Sequence, residues 1–585
     1  MKLWKIFMLA ILTLVLADND PLMFMGWEGM GLCGCLLLGL LDSKGQSKLE
    51  LHAEAAFPAP TWFFQQQWWV QEPWESDSAA HNYPLPLRIQ GPLNLKALEA
   101  SLQEIVRRHQ VLRSVFRNVD GKLVQIIIPA EPIEIAVMDL TRMPEAERNA
   151  QASRLVLEEA SRPFDLRRGP LLRVGLLRLG AEDHVLQLTT HDIVYDDWST
   201  AILIRELSTL YPAFDTGFRS PLSEPSFQYG DFVRWQQERL RGRELESRLH
   251  FWKQQLSDKN DFHHLTTDQA RPARRSYRGA REVMTFSDDT ANFLKVMSQR
   301  ERVSPFMMLL AAFQCLLHLY SSHQTIGVAS CAANRSLIEV EGLIGRFGNQ
   351  FILFADMSGN PTFRELLAQI RENTLTAYSY HDLPFGKLVE ELVPVPDPSR
   401  NPLFQVMFVL QNAPKVEWQI PELNIGWFPV ETRNAQFDLT VRLKIEPTLE
   451  VAMEYSTDLF EPATMRRLLE HYRTILQAML KDPTRRIRNI EVDPKPPPME
   501  IQRTTRVEIS TPRDDLESKL VDIWEAALRI RPIGIDQNLF ELGGDSLLAA
   551  QLFAQIEKAF GVKIPVAMLF KVQTIKDLAK IIRDH

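Results

Sequence analysis

Cysteine is scarce, with four residues in 585. Cys33 and Cys35 sit too close together for a zinc knuckle, and the cysteines form no metal-ligand spacing. No disulfide framework is expected, and a reducing compartment is the default. An excess of one charge sign is lacking too. Lys and Arg number 66 against 74 Asp and Glu, a net charge of −8, and no basic stripe occurs, so nucleic acid is not expected as a partner. What is present is ordinary globular composition, 45% hydrophobic and 24% charged. The length exceeds a single core, and roughly two to four domains are expected.

The amino end differs from the rest. Met1-Lys-Leu-Trp-Lys5 leads into the apolar run Ile6 to Ala17, the charged start and apolar middle of a signal-like segment. A second apolar run, Pro21 to Leu41, is broken only by Glu28. Trp27-Glu28-Gly29-Met-Gly31-Leu-Cys33, preceded by Ala17-Asp-Asn19, resembles a fragment of chain 5 of respiratory NADH dehydrogenase. A proton pump needs many helices to shield its charged groups, so pumping is not expected. A fused fragment and a membrane anchor through residues 1–41 both stay open. Residues 42–57 turn polar and mark a boundary.

The densest chemistry lies in His191-Asp192-Ile-Val-Tyr-Asp196-Asp197-Trp198-Ser199-Thr200, after an alternating run, His184 to Thr190, that reads as a strand ending in a loop. Alone, the window reads as a solvated loop. Its neighbours reverse that. The spacing predicts a helix over Asn94 to Arg107, with Leu95, Leu98, Leu102, Ile105 and Val106 on one face. Arg107-Arg108-His109-Gln110-Val-Leu112-Arg113-Ser114-Val-Phe116 follows, cations that also suit a helix C-terminus. Further on stand Tyr229-Gly-Asp231-Phe-Val-Arg234-Trp235, Ile344-Gly345-Arg-Phe347-Gly-Asn349-Gln350, His381-Asp382-Leu-Pro384-Phe385-Gly386, Asn401-Pro402-Leu403-Phe404 and Phe437-Asp438-Leu439-Thr440.

In this order the motifs resemble those of nonribosomal peptide synthetase condensation domains. His191, Asp196 and Trp198 fit that family's His-His-x-x-x-Asp-Gly core. Asp192 replaces its second, catalytic histidine, Asp197 its glycine, and Gly348, Gln350 and Gly386 depart as well. The resemblance implies an α+β fold of two chloramphenicol-acetyltransferase-like lobes, about 58–257 and 258–482, with His191 to Trp198 lining the cleft between them. Arg278 is a candidate ion-pair partner for Asp196. The candidate catalytic residues are His191, Asp192, Asp196, Trp198 and Asn349.

Residues 483–512 read as a stiff linker around Pro494-Lys-Pro496-Pro497-Pro498. Residues 513–585 read as a small unit, its first helix carrying Leu516, Leu520, Ile523, Trp524, Ala527 and Leu528 in one stripe. Phe540-Glu-Leu-Gly543-Gly544-Asp545-Ser546-Leu547-Leu548 opens a helix to Phe560. Ser546 suits an N-cap, and the same helix start suits a phosphodiester. The stretch resembles the signature of four-helix peptidyl carrier domains. That implies covalent 4′-phosphopantetheine on Ser546, with Asp545 beside it, attached by a phosphopantetheinyl transferase from coenzyme A, hence a cytoplasmic protein.

The resemblance implies acyl transfer between carrier-bound thioesters in a nonribosomal peptide synthetase or a hybrid polyketide–peptide synthase. The expected partners are carrier domains of other modules and an adenylation domain in trans. Imidazole, with a pKa near ~6.5, suits proton transfer near pH 7, whereas an aspartate near ~4 is a poor base. Burial beside Asp196 and Asp197 is expected to raise Asp192. Asp192 then accepts a proton, orients an amine or hydroxyl, or takes no part. In that last case the domain is a silent docking or gating platform.

Overall fold

The protein is described by a computed structural model. The described residues are 57–59, 61, 65, 79–119, 122–257, 265–321, 323–335, 337–393, 397–411, 416–430, 433–445, 448–493, 510–528, 533–537, 552, 555–562 and 574–583. The readings made for residues 1–41 lie outside them.

The strands are β1 (Phe57–Ala59), β2 (Asn82–Gln90), β3 (Ser114–Val119), β4 (Lys122–Ile127), β5 (Ala136–Asp139), β6 (Leu172–Arg178) and β7 (Asp183–His191) in the first half. The second half adds β8 (Gly279–Thr285), β9 (Thr325–Ala332), β10 (Asn349–Asp356), β11 (Val406–Leu410), β12 (Asn424–Trp427), β13 (Leu439–Ile445) and β14 (Leu449–Ser456). They form a five-stranded sheet ordered β12-β2-β7-β6-β5, a six-stranded sheet ordered β10-β9-β11-β13-β14-β8, and a small sheet β1-β4-β3. Each large sheet carries helices and its own core, which is the expected two-lobed α+β architecture.

The first lobe starts as the sequence pattern requires. The helix spans Leu95–Arg108, and Asn94 caps it by accepting from the Lys96 and Ala97 amides. Its Leu98, Leu102, Ile105 and Val106 are buried. In the second lobe the helix Pro305–Ser321 is apolar and buried almost all round. The chain does not divide between the lobes at one point, because β12 returns to pair antiparallel with β2, Trp427 opposite Leu87. The first-lobe core likewise takes in Val340, Leu343, Ile344 and Phe347 from the second half.

Two expectations about the carboxyl side change. The segment after Asp482 is not yet linker, because Ile487, Ile490 and Val492 are buried in the second-lobe core. The Ile487 amide donates to the Pro361 carbonyl at 3.1 Å, stitching the segment down. The last unit takes in Ser510, ahead of the expected start at 513, because its hydroxyl donates to Asp536 at 2.7 Å. Its helices Asp515–Leu528 and Ile575–Arg583 enclose a separate core of Leu520, Trp524, Ile533, Ile535, Leu552, Ile556, Ile575 and Leu578. Ser546 and Asp545 lie outside the described residues. The helix they are expected to open is described at 552 and 555–560. Among the described residues no single helix is long and apolar enough to cross a membrane.

Candidate functional site

A cleft of about 980 Å³ lies between the lobes. Asp192, Asp196, Asp197 and Trp198 line it from the first lobe, and Arg346, Gln350, Gln436 and Arg442 from the second. The strand β7 runs one residue further than its alternation suggested, so His191 is its last member. Asp196 then caps the helix Asp197–Asp215, and the intervening turn swings Asp192 into the cleft.

The five candidates divide into different jobs. Asp196 is a clamp. Its Oδ1 accepts from the Ser199 amide at 2.9 Å and hydroxyl at 2.7 Å, and its Oδ2 from the Phe347 amide at 3.0 Å. Its ion-pair partner is Arg335, at 3.1 Å, with a side chain 1% exposed. Arg278, the expected partner, instead pairs with Asp458 at 2.8 Å on the surface. Trp198 donates from Nε1 to the Glu341 carbonyl at 3.1 Å, a second tie between lobes. Asn349 donates to the His381 and Leu383 carbonyls and accepts from the Phe385 amide, so it holds the 381–385 turn and does not line the cleft.

His191 is buried, 3% exposed, with Phe164 edge-on to its ring at 5.9 Å. Its Nδ1 accepts from the Ile193 amide at 3.1 Å, which puts the proton of the neutral ring on Nε2. Desolvation pushes its pKa down to about 3, against the opposing pull of Asp192. Neutral at pH 7 and fixed as a donor, His191 is not a base.

Asp192 departs from expectation. Asp196 and Asp197 do not raise it. Burial alone would do so, but the His81 ring, by charge and hydrogen bond, with His191 and Arg346 behind it, holds the carboxyl well below the usual carboxylate range. Its Oδ2 meets His81 Nδ1 at 2.9 Å and accepts from Gln436 Nε2 at 3.2 Å. Its buried Oδ1 has no hydrogen-bond partner among the described residues.

Sequence reasoning missed several residues. His81 stands 111 positions before Asp192, outside every motif, and only the β2–β7 register, Asn82 opposite His191, brings it near. Glu206 was also missed. It holds Arg108 and His109, each at 3.0 Å, in a buried cluster. Tyr83 donates to Asp197 at the cleft wall, and Arg442 pairs with Glu454 at 2.9 Å. None of these pairs has a local spacing that could have shown it.

Comparison with known proteins bears on the whole arrangement. Residues 518–582 match the phosphopantetheine attachment site, so the group held covalently by this unit is 4′-phosphopantetheine. One of the linear gramicidin synthase proteins of Brevibacillus parabrevis is 41% identical over 427 residues, 72% of this chain, and the chain spans only 6% of that relative. The X-domain of teicoplanin biosynthesis, in its complex with OxyB, superposes with a TM-score of 0.68 at 25% identity, covering 77% of this chain and 98% of that one. A holo four-domain nonribosomal peptide synthetase bound to AMP and glycine gives a TM-score of 0.67 at 20% identity, over 90% of this chain and 40% of that chain, and shares the fold. Residues 59–495, the two lobes and the cleft they enclose, match the Condensation domain, and on that match the chain belongs to the condensation domain family.

Proposed function

We propose that this chain is a component of a nonribosomal peptide synthetase, or of a hybrid polyketide–peptide synthase. It transfers acyl groups between carrier-bound thioesters and tethers the chain at Ser546. The observation that carries this reading is the order within one polypeptide, a condensation domain over 59–495 followed by a phosphopantetheine attachment site over 518–582. The gramicidin synthase and the four-domain synthetase support the setting. The partners are then carrier domains of other modules, an adenylation domain in trans and a phosphopantetheinyl transferase acting in the cytoplasm.

Within the cleft, Asp192 is the group that meets the nucleophile. An ionised carboxylate with one oxygen lacking a donor accepts and orients an N–H or O–H. Asp196, Trp198 and Asn349 support the cleft walls and take no part in proton transfer. A second reading, a silent docking or gating platform, is favoured by the states of His191 and Asp192, neither of which is a base near pH 7. The X-domain crystallised with OxyB is a relative of this architecture bound to another protein.

Two measurements test the proposal. Incubation with coenzyme A and a broad-specificity transferase should add one arm's mass to the parent and none to Ser546→Ala. A gain in Ser546→Ala overturns the assignment of that serine. Mass analysis of both carriers after mixing with an acyl-loaded donor carrier then separates enzyme from platform. Traces identical to a heat-treated control leave the platform alone standing.

A further inference from the structure

Strand β2 presents part of an open edge to the cleft. Against β7 it pairs in antiparallel register along its whole length, from Asn82 opposite His191 to Gln90 opposite Asp183. The Asp192 amide donates to the His81 carbonyl at 2.9 Å, and the Gly91 amide to the Glu182 carbonyl at 2.8 Å. Odd-numbered residues of β2 therefore turn their backbone groups to β7, and even-numbered residues turn theirs to the opposite edge. On that edge β12 pairs only from Leu87 to Gln90. One more bond follows, from the Phe428 amide to the Pro86 carbonyl at 3.0 Å. The next even positions, Pro84 and Asn82, line the cleft and are only partly buried.

This edge is one-sided. Pro84 and Pro86 have no N–H to donate. The Asn82 amide already donates to the Ala79 carbonyl at 3.0 Å. The backbone carbonyls of Asn82 and Pro84 accept from no donor among the described residues. Two acceptors therefore stand about 7 Å apart, the spacing of same-side groups on an extended chain. Prolines commonly blunt an edge that faces solvent. Here the edge lies within the cleft, and the prolines remove its donors while leaving its acceptors. It is also held firmly. Asn82 Nδ2 donates to the Ala160 and Arg162 carbonyls at 2.7 and 2.8 Å, at the end of the helix Glu145–Ala160. The start of β2 adjoins Asp192 through the His81 carbonyl, and Pro84 lies roughly 10 Å further along. Past Pro86 the edge is closed by Phe428 and by Trp427, which line the same cleft.

We propose that the open edge of β2 seats the carrier-bound chain, which lies along it as an added antiparallel strand and donates N–H groups to the Asn82 and Pro84 carbonyls. The thioester end points toward Asp192 and the amino end toward Trp427. Same-side N–H groups belong to residues two apart, so filling both acceptors takes a peptide of at least three residues. A polyketide or fatty acyl chain has no N–H to give and leaves both carbonyls covered without a partner. The substrate class is thus a peptidyl thioester. This rests on the reading of the cleft as the place where carrier-bound chains sit, and not on whether transfer occurs there.

Binding to the full chain, before its phosphopantetheine arm is attached, tests the seat apart from transfer. N-acetyl-tetraalanyl N-acetylcysteamine thioester is titrated by calorimetry beside four relatives, each with one alanyl residue replaced by lactoyl, which turns one N–H into an ester oxygen. Two replacements, at positions two apart, should each weaken binding by about 3- to 10-fold. The other two should change it little. Equal losses at all four positions, or at none, overturn the seat. The S-butyl thioester of the same peptide removes the amide of the thiol arm. Loss there, with none in the lactoyl series, assigns the edge to the pantetheine arm and overturns the peptidyl substrate. The location is read in the chain labelled with 13C at the proline carbonyls. The resonance missing from Pro84→Ala should shift when the all-amide thioester is added, and a resonance that stays put overturns the seat at Pro84. The lactoyl series uses the parent alone and stands whether or not Pro84→Ala folds. Alternating losses in a chain that transfers no acyl group between carriers overturn the transferase reading and leave the seat. Transfer without alternation overturns the seat alone.

Discussion

His191 shows how burial converts a titratable side chain into a structural one. Desolvation holds its folded pKa near about 3, while the unfolded chain titrates near ~6.5. Between those values the unfolded state binds more protons, so stability must fall as pH falls through that window. The loss between pH 7 and 5 from this one group is of order 2 kcal/mol. His184, His318 and His471 are lowered as well and tilt the curve the same way. The difference between parent and His191→Gln is therefore what counts. Urea midpoints should fall less steeply for His191→Gln over pH 7 to 5. Equal slopes would mean that the ring is not held neutral. Asp192 acts lower on the scale, since a depressed carboxyl contributes stability above its unfolded pKa and loses it only as pH drops through the folded value.

On the scale of elements, the junction between β7 and the helix Asp197–Asp215 ties the lobes together. Asp196 caps the helix, accepts from the second-lobe Phe347 amide, and neutralises Arg335. The Arg335 guanidinium lies 4.0 Å from the Phe347 ring and 5.7 Å from that of Trp198, away from bulk water. Asp196→Ala strands that cation and should cost roughly 3–5 kcal/mol in urea denaturation. Arg335→Met should cost less, because Asp196 keeps its Ser199 and Phe347 donors and the alkyl chain refills the space between the rings. If Arg335→Met proves the more damaging, the cation and not the carboxylate is the centre of the clamp. The turn after Arg335 is equally tight. A Cβ at Gly345 would stand 2.4 Å from Tyr229, which is why that motif needs glycine there.

The whole molecule combines two lobes that share buried residues with a carrier whose core is its own. Unfolding should follow that division. Leu520 is fully buried in the carrier, and Leu520→Ala should destabilise that unit by about 2–5 kcal/mol. Calorimetry should show a small transition moving down while the larger one stays. A single transition shifted as a whole would mean that carrier and lobes unfold together. The fragment 510–585 should also accept one phosphopantetheine arm without the lobes, read by intact mass.

Local pattern was sufficient for the parts of the fold that local physics decides. Apolar residues on one face after Asn94 had to form a helix, and the ordered motifs marked a condensation domain with a carrier after it. The same pattern misread Arg278, Asp192 and the onset of the linker, because each depends on what lies opposite in space. Arg335 reaches Asp196 across 139 positions. His81 reverses the expected direction of the Asp192 pKa across 111 positions. Residue types and their order along the chain determined family and fold. Which imidazole stands beside which carboxylate was decided only by strand register and lobe packing, since the energy of an ionised group depends on its neighbours and its burial and not on its place in a motif.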